Sequence, residues 1–339
     1  MTIKTRSIDS RQLQMRIAAY QRPTRWKSIW QLINSFVPFA FLWFLAIRVM
    51  SHSIWLTLPI VVLLSAFTIR IFIIFHDCGH QSFFRSKRAN TFWGIVTGLV
   101  AFTPYHRWKD SHARHHATSG NLDKRGAGDV WMMTRREYLE ASAFKRLKYR
   151  LYRNPLIMFL LGPLAMLLIN NRIPGKRATT SDRYSMHLTN LTLIIFCGSL
   201  VYFLGWESIL VIQLPTIFLA HVVGVWLFYV QHQFDGVYWK QSSEWDFITA
   251  SLEGGSFYKL PLILRWVTGS IGYHHLHHLN SRIPNYNLAR CHNENTVLHQ
   301  TKTINLRTSL ASVSLRLFDE ETGRMIGFRE IKRRAVARS

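Results

Sequence analysis

Four uncharged stretches, 28–47, 49–69, 184–206 and 208–234, dominate the hydropathy of the chain. Each is long enough to cross a hydrocarbon layer of about 30 Å, which takes around 20 helical residues. Arg48 alone separates the first two and Glu207 alone the last two, so each pair reads as a hairpin with a short link. Two further uncharged stretches, 89–106 and 154–171, do not qualify as spans. Gly94 and Gly98 interrupt the first, whose apolar core is only about eleven residues long, and Pro155, Gly162 and Pro163 interrupt the second. Both suit interfacial or re-entrant helices. The pattern predicts an all-α membrane protein with four transmembrane helices, interfacial helices and a helical cap on one side. Arg70, just past the second span, reads as a snorkelling residue at the interface. No internal repeat, low-complexity tract or linker divides the chain.

Charge gives the spans a direction. Lys and Arg total 42 against 18 Asp and Glu, a formal net charge of +24. The basic residues crowd an N-terminal arm (Lys4, Arg6, Arg11, Arg16, Arg22, Arg25, Lys27), the region 107–153 and a tail holding Lys332, Arg333, Arg334 and Arg338. The positive-inside rule puts all three on the cytoplasmic side, with both termini. A nucleic-acid partner is not expected, because no helix-turn-helix, RRM-like or zinc-finger pattern accompanies the charge. Cys78, Cys197 and Cys291 lie far apart and imply no disulfide framework, which fits a reducing face. The N-terminus lacks the small-residue cleavage site of a secretory signal and reads as retained.

The chemistry lies in the histidines. His76 and His80 stand in HDCGH, His112, His115 and His116 in HARHH, and His274, His277 and His278 in HHLHH. On a helix turning roughly 100° per residue, spacings of i, i+3 and i+4 put later rings within about 60° of the first. A lone histidine at an apolar position is ordinarily a hydrogen-bonded core residue; three multi-histidine clusters are not, because neutral imidazole is a preferred nitrogen ligand of iron, zinc and copper. With four crossings all three clusters emerge on the cytoplasmic side. If 89–106 crossed as well, the first two would be separated by the bilayer. His232, in WLFYVQHQFDG at the end of the fourth span, lies at the same depth and brings the imidazoles to nine. Nine suffice for two metal ions with open positions, whereas a structural zinc site closes with four ligands. Soluble di-iron bundles use Glu and Glu-x-x-His ligands, which are absent here. No GxGxxG motif follows a predicted strand, so neither flavin nor nicotinamide is expected. Iron is the expected metal, since a lipid substrate offers unactivated methylene C–H bonds that yield only to an oxidant made from O₂. Asp77, Asp123, Asp129 and Asp235 are placed to orient the rings through their free N–H groups, and each could equally be a surface salt-bridge acid. A metal transporter is the contrasting reading, but transporters carry acids inside their spans, and these spans carry none.

The segments HDCGH, HARHHATSGNLDKRGAGD, QHQFD, FYKLP and GYHHLHHLNSRIPNYNL resemble the integral-membrane fatty acid desaturases, in particular the acyl-lipid branch similar to Δ12 (omega-6) desaturases. The resemblance covers about 36–292. It implies a single domain over 1–339, in which that core is flanked by a basic arm, 1–27, and a basic tail, 293–339. It also implies two irons on the cytoplasmic face, held by His76, His80, His112, His115, His116, His232, His274, His277 and His278. The implied reaction uses O₂ and two electrons to remove two vicinal hydrogens from an acyl chain, leaving a cis double bond. The chain departs from the pattern at Phe228. In the related acyl-CoA branch an asparagine there holds a metal-linked water, so the anchor of that water is in question. An external electron donor is implied, ferredoxin in a bacterial setting or cytochrome b5 in an endoplasmic reticulum setting. Arg107, Lys109, Arg114, Lys124, Arg125, Arg135 and Arg136 could steer such an acidic donor, or attract anionic headgroups. The acyl carrier, lipid or CoA, stays open, and so do hydroxylase, epoxygenase and carotenoid oxidase variants of the same architecture. Zinc can replace iron on overexpression. His221 lies eleven residues before His232 and about 16 Å deeper, too far for a ligand. It is expected to face the bundle interior or the acyl channel. His52, His106, His187, His275, His292 and His299 stand outside the metal set. A chain this compact with basic ends suits a bacterial cytoplasmic membrane.

Overall fold

A computed structural model describes residues 10–331 apart from 127 and 177. Lys4, Arg6, Lys332, Arg333, Arg334 and Arg338 lie outside the described residues. Helix α1 (Ser10–Ala18) precedes two long helices, α2 (Arg25–Met50) and α3 (Ile54–Gly79). Both differ from the apolar pattern. The Ser51-His52-Ser53 turn ends the first, and the Ser53 side chain caps the second by accepting from the Leu56 amide at 3.4 Å. At 26 residues α3 rises about 39 Å, more than a hydrocarbon layer is thick, and so carries its last turns beyond it.

Arg70 does not interrupt α3. It is buried, with Nη2 3.0 Å and Nε 3.3 Å from Asn34 Oδ1. It also donates to the Trp266 carbonyl and lies 3.7 Å above the Trp266 ring. The expectation of a snorkelling residue is thereby corrected: the charge is met inside the protein by an amide, a carbonyl and an aromatic face.

Next come α4 (Lys87–Val100) and α5 (Tyr105–Thr118). With 14 residues, α4 rises only about 21 Å, too little to cross. Its two glycines are close-approach positions. A Cβ on Gly94 would meet the Tyr105 ring, and one on Gly98 would stand 2.6 Å from the Thr103 carbonyl oxygen and 2.9 Å from the Phe75 ring. The glycines that spoil α4 as a span therefore let it lie flat against α3 and the start of α5.

Beyond β1 (Met133–Thr134) and α6 (Arg135–Glu140), helix α7 (Ala143–Tyr152) meets the helical stretch Ile157–Asn170 at 64°. In that stretch α8 (Gly162–Ala165) sits between two π turns. Helix α9 (Thr180–Leu204) opens with a capping box in which Thr179 and Asp182 each bond the other's amide. After a short link, the π turn Ser208–Gln213 runs into α10 (Leu214–His232). Among the described residues four helical segments are long and apolar enough to span, Arg25–Met50, Ile54–Gly79, Thr180–Leu204 and Ser208–His232, and the bent pair Ala143–Tyr152 and Ile157–Asn170 passes the same test only when taken together. Of the apolar window of α3, 61% is buried, against 6% for α9, so α3 is the central helix and α9 presents Ile194, Ile195 and Phe203 outward.

The cap is built from α11 (Phe247–Gly254), β2 (Phe257–Tyr258), α12 (Leu262–Val267), α13 (His274–Leu279), α14 (Asn285–Glu294), β3 (Thr303–Ile304), α15 (Leu306–Ser309), β4 (Leu317–Asp319) and β5 (Arg324–Ile326). It is not purely helical. β2 pairs in parallel with β3, and β4 pairs in parallel with β1 (Met133↔Leu317) and antiparallel with β5. Strands of two or three residues carry no readable period, and their pairing is set by contacts distant in sequence. The N-terminal arm is more than a charged tail. Leu13 and Ile17 of α1 are buried with Leu276, Leu279, Leu288 and Cys291 of α13 and α14, and Tyr20 bonds Glu294.

Candidate metal centre

Each box rides on a different element. His76 lies in the last turn of α3 and His80 caps it; α5 carries His112, His115 and His116; His232 is the last residue of α10; α13 carries His274, His277 and His278. Helices α3 and α10 deliver their histidines to one cluster, so they end on the same side of the molecule.

The rings sort into two groups. One ligand atom from each of His76, His80, His112 and His277 lies within 4.8 Å of the others, and the same holds for His115, His232, His274 and His278. His116 joins the first group, its Nε2 standing 3.1 Å from that of His112 and 3.0 Å from that of His277. The sequence order explains the division. Neighbours on a helix point about 100° apart, so His115 and His116, like His277 and His278, face different groups. The His116 ring stacks on that of His278 at 4.1 Å and holds the groups together.

Partners outside the cluster decide the tautomers. His115 Nδ1 lies 2.6 Å from Asp129 Oδ1 and His232 Nδ1 lies 3.2 Å from the Gly254 carbonyl oxygen. Ionised carboxylate and carbonyl oxygens only accept, so both Nδ1 atoms donate and both Nε2 atoms carry bare lone pairs. Those lone pairs face each other at 3.1 Å, and His274 Nε2 approaches His232 Nε2 at 2.8 Å. Lone pairs converge at such distances only around a cation. With metal–nitrogen bonds of about 2.1 Å, two ligands at right angles stand roughly 3.0 Å apart. The donor set therefore fits a pair of metal ions.

Burial, and then the neighbouring imidazoles, hold His80, His112, His116, His274, His277 and His278 well below the usual histidine range. All six are neutral at physiological pH, the form that binds metal.

Of the four predicted orienting carboxylates, the structure brings two to the rings. Besides Asp129, Asp77 Oδ1 stands 3.1 Å from His76 Nδ1, while its Oδ2 accepts from the Asn285 amide at 2.7 Å and side chain at 2.8 Å. The other two readings are corrected. Asp123 is exposed and accepts from the Ser242 amide at 2.7 Å, and Asp235 forms a surface ion pair with Arg324 at 2.8 Å. Their places in sequence beside the boxes put them on turns that point away from the rings.

His221 is half-buried, and its Nδ1 bonds the Ile217 carbonyl one turn back at 2.9 Å. His275 turns away from the centre, to His292 Nδ1 at 3.2 Å. Phe228 packs against the rings of His115 and His232, each at 5.0 Å between centroids.

Several participants left little trace in the sequence. Asn285 clamps Asp77 from the start of α14. Trp108 stacks on His112 at 4.3 Å, and Gly79 in the first box is small because that indole passes 2.8 Å from where its Cβ would stand. The Gly254 carbonyl carries no side-chain signal at all.

Comparison with known proteins agrees with this geometry. The profile of the family described as Fatty acid desaturase matches residues 53–303. A protein of Bacillus subtilis (strain 168) named as a fatty acid desaturase is 47% identical over 332 residues, covering 98% of this chain and 94% of its own. From Synechocystis, an sn-1 acyl-lipid omega-3 desaturase (ferredoxin) is 27% identical across 65% of this chain and 62% of its own length. An sn-1 oleoyl-lipid 12-desaturase of the same organism is 24% identical across 65% of this chain and 63% of its own.

Proposed function

The chain belongs to the fatty acid desaturase family, and from that premise we propose that its nine clustered imidazoles hold two iron ions that oxidise a membrane acyl lipid to a cis-olefin with O₂ and two electrons. The observation that carries the reading is the convergence of imidazole nitrogens in two adjoining groups, with the Nε2 lone pairs of His115 and His232 facing each other in the second. Bound iron supplies, with O₂, the oxidising power that an unactivated methylene requires. The protein's own part is positional. Asp129, Asp77 and the Gly254 carbonyl fix the tautomers of His115, His76 and His232, so that these three rings present their lone pairs without reorganisation. His116 and His278, stacked, keep the two groups in register. The overlength of α3 sets the centre just outside the apolar layer, where an acyl chain held among the helices can meet it while its polar head stays at the surface.

The electron donor in this reading is a ferredoxin, as in the printed name of the Synechocystis omega-3 relative. The metal-bearing side faces the cytoplasm of a bacterial cell, with both chain ends there, and 1–339 acts as one domain. The test is analysis of fatty acids from a host expressing the chain beside the His115→Ala variant, with double bonds located by derivatisation. A new cis double bond made only by the unmodified protein is expected. A hydroxy, epoxy or keto product, or an olefin equally abundant with His115→Ala, would overturn the assignment.

A further inference from the structure

Against the second histidine group lies a small cavity walled by Ser119, Asp129, Phe228, His232, Gln233 and Trp239, among others, leaving about 10 Å³ for the centre of a water-sized sphere. That is room for one water molecule. Two atoms of the lining residues have no protein partner, Asp129 Oδ2 and Trp239 Nε1. Both side chains are more than nine-tenths buried, with 8% of the Asp129 side chain and 7% of Trp239 exposed. The two deficits are complementary, because a carboxylate oxygen only accepts and an indole N–H only donates. Left unmet, each carries an uncompensated desolvation cost. Two neighbouring polar atoms are already engaged: Gln233 Oε1 accepts from Arg153 at 3.1 Å, and His232 Nδ1 donates to the Gly254 carbonyl.

The walls are also fixed in place. Trp239 sits on the loop after α10 and Asp129 on the loop after α5. The two loops are laced by Leu122 N to Lys240 O at 2.9 Å and Lys240 N to Gly120 O at 3.0 Å.

We propose that this cavity is a binding site for a single ordered water, which accepts from Trp239 Nε1–H and donates to Asp129 Oδ2. Trp239 is then a positioning residue for His115. With Oδ1 on His115 Nδ1 and Oδ2 on the water, the Asp129 carboxylate is held at both oxygens and cannot turn away from the imidazole. The role of Trp239 rests on the reading of His115 as a metal ligand; the water site does not.

The test is a water-resolving structure of the metal-loaded protein, together with the rate of metal release to a chelator for the unmodified chain and for Trp239→Phe. Expected are density within hydrogen-bonding distance of both atoms, its loss in Trp239→Phe, and metal release at least about tenfold faster from a variant that remains folded. A dry cavity in a map that resolves other buried waters, or an indole bonded directly to the carboxylate, would overturn the water site. Metal release at the unmodified rate would overturn the positioning role. The metal count of the unmodified protein separates these outcomes from failure of the dimetal reading, since the density in the cavity is read independently of it.

Discussion

One proton on His115 decides whether its lone pair faces the metal, and Asp129 decides where that proton sits. Asp129→Ala should therefore weaken metal binding about 10–100-fold, while Asp235→Ala should leave it unchanged, because Asp235 pairs with Arg324 at the surface. Metal retained after dialysis against graded chelator compares the two. Both acids stand close to histidine motifs in sequence, and nothing in the residues distinguished them. What differs is the direction of the turn that each occupies, which long-range packing sets. The histidines themselves were legible because spacing on a helix reports a shared face directly. A second residue-scale prediction concerns His275 and His292, whose pKa values burial pushes down to about 3 and about 4. In the unfolded chain both take up protons near 6.5. Between about pH 6.5 and these lower values the unfolded state binds more protons than the folded one, so stability falls as the pH drops through that window and is unaffected by this pair above it. His80, His112, His116, His274, His277 and His278 of the metal-free centre act in the same sense. Melting temperatures of the metal-free protein in detergent should fall from pH 6.5 to 4, and His275→Gln should flatten the fall.

The same separation between local signal and distant packing governs the elements. Four spans could be read from apolar length, yet α3 starts at Ile54 and ends at Gly79, well beyond the uncharged run. Arg70 looked like a boundary, and only Asn34 and Trp266, brought by α2 and α12, make it an interior residue. The strands of the cap were invisible, being too short to show alternation. Gly94 and Gly98 were noticed as flaws in a span; their use is to let α4 approach α3 and Tyr105. Gly98→Val should accordingly destabilise the protein by about 1–3 kcal/mol through overpacking, measured as a lower melting temperature. Helix α1 offers a second case. Ile17 is fully buried against the elements that carry the third box, and Ile17→Ala should cost about 2–5 kcal/mol. Metal occupancy should fall with it, because α13 loses part of its support. Occupancy unchanged at a lowered melting temperature would show that α1 braces the cap without bracing the site.

At the scale of the whole molecule, the charge of +24 and the nine imidazoles make separate predictions. The purified protein should bind about two metal ions per chain, with zinc displacing iron where zinc is abundant, as elemental analysis would show. If the basic face steers an acidic soluble donor, turnover at fixed lipid should fall steeply as ionic strength rises; a flat response would assign that charge to lipid headgroups instead. The overall architecture was legible because bilayer thickness constrains it so tightly. The closure of the cap was not, since β1 at Met133 finds its partner only at Leu317 and the third box is braced by segments from near both ends of the chain. That closure sets a timetable for biogenesis. A ribosome making this protein emits the first box well before the third, and β1 well before the strand that locks it. Each imidazole group includes histidines of the third box, so neither can be completed, or take up its metal, until that box has been made.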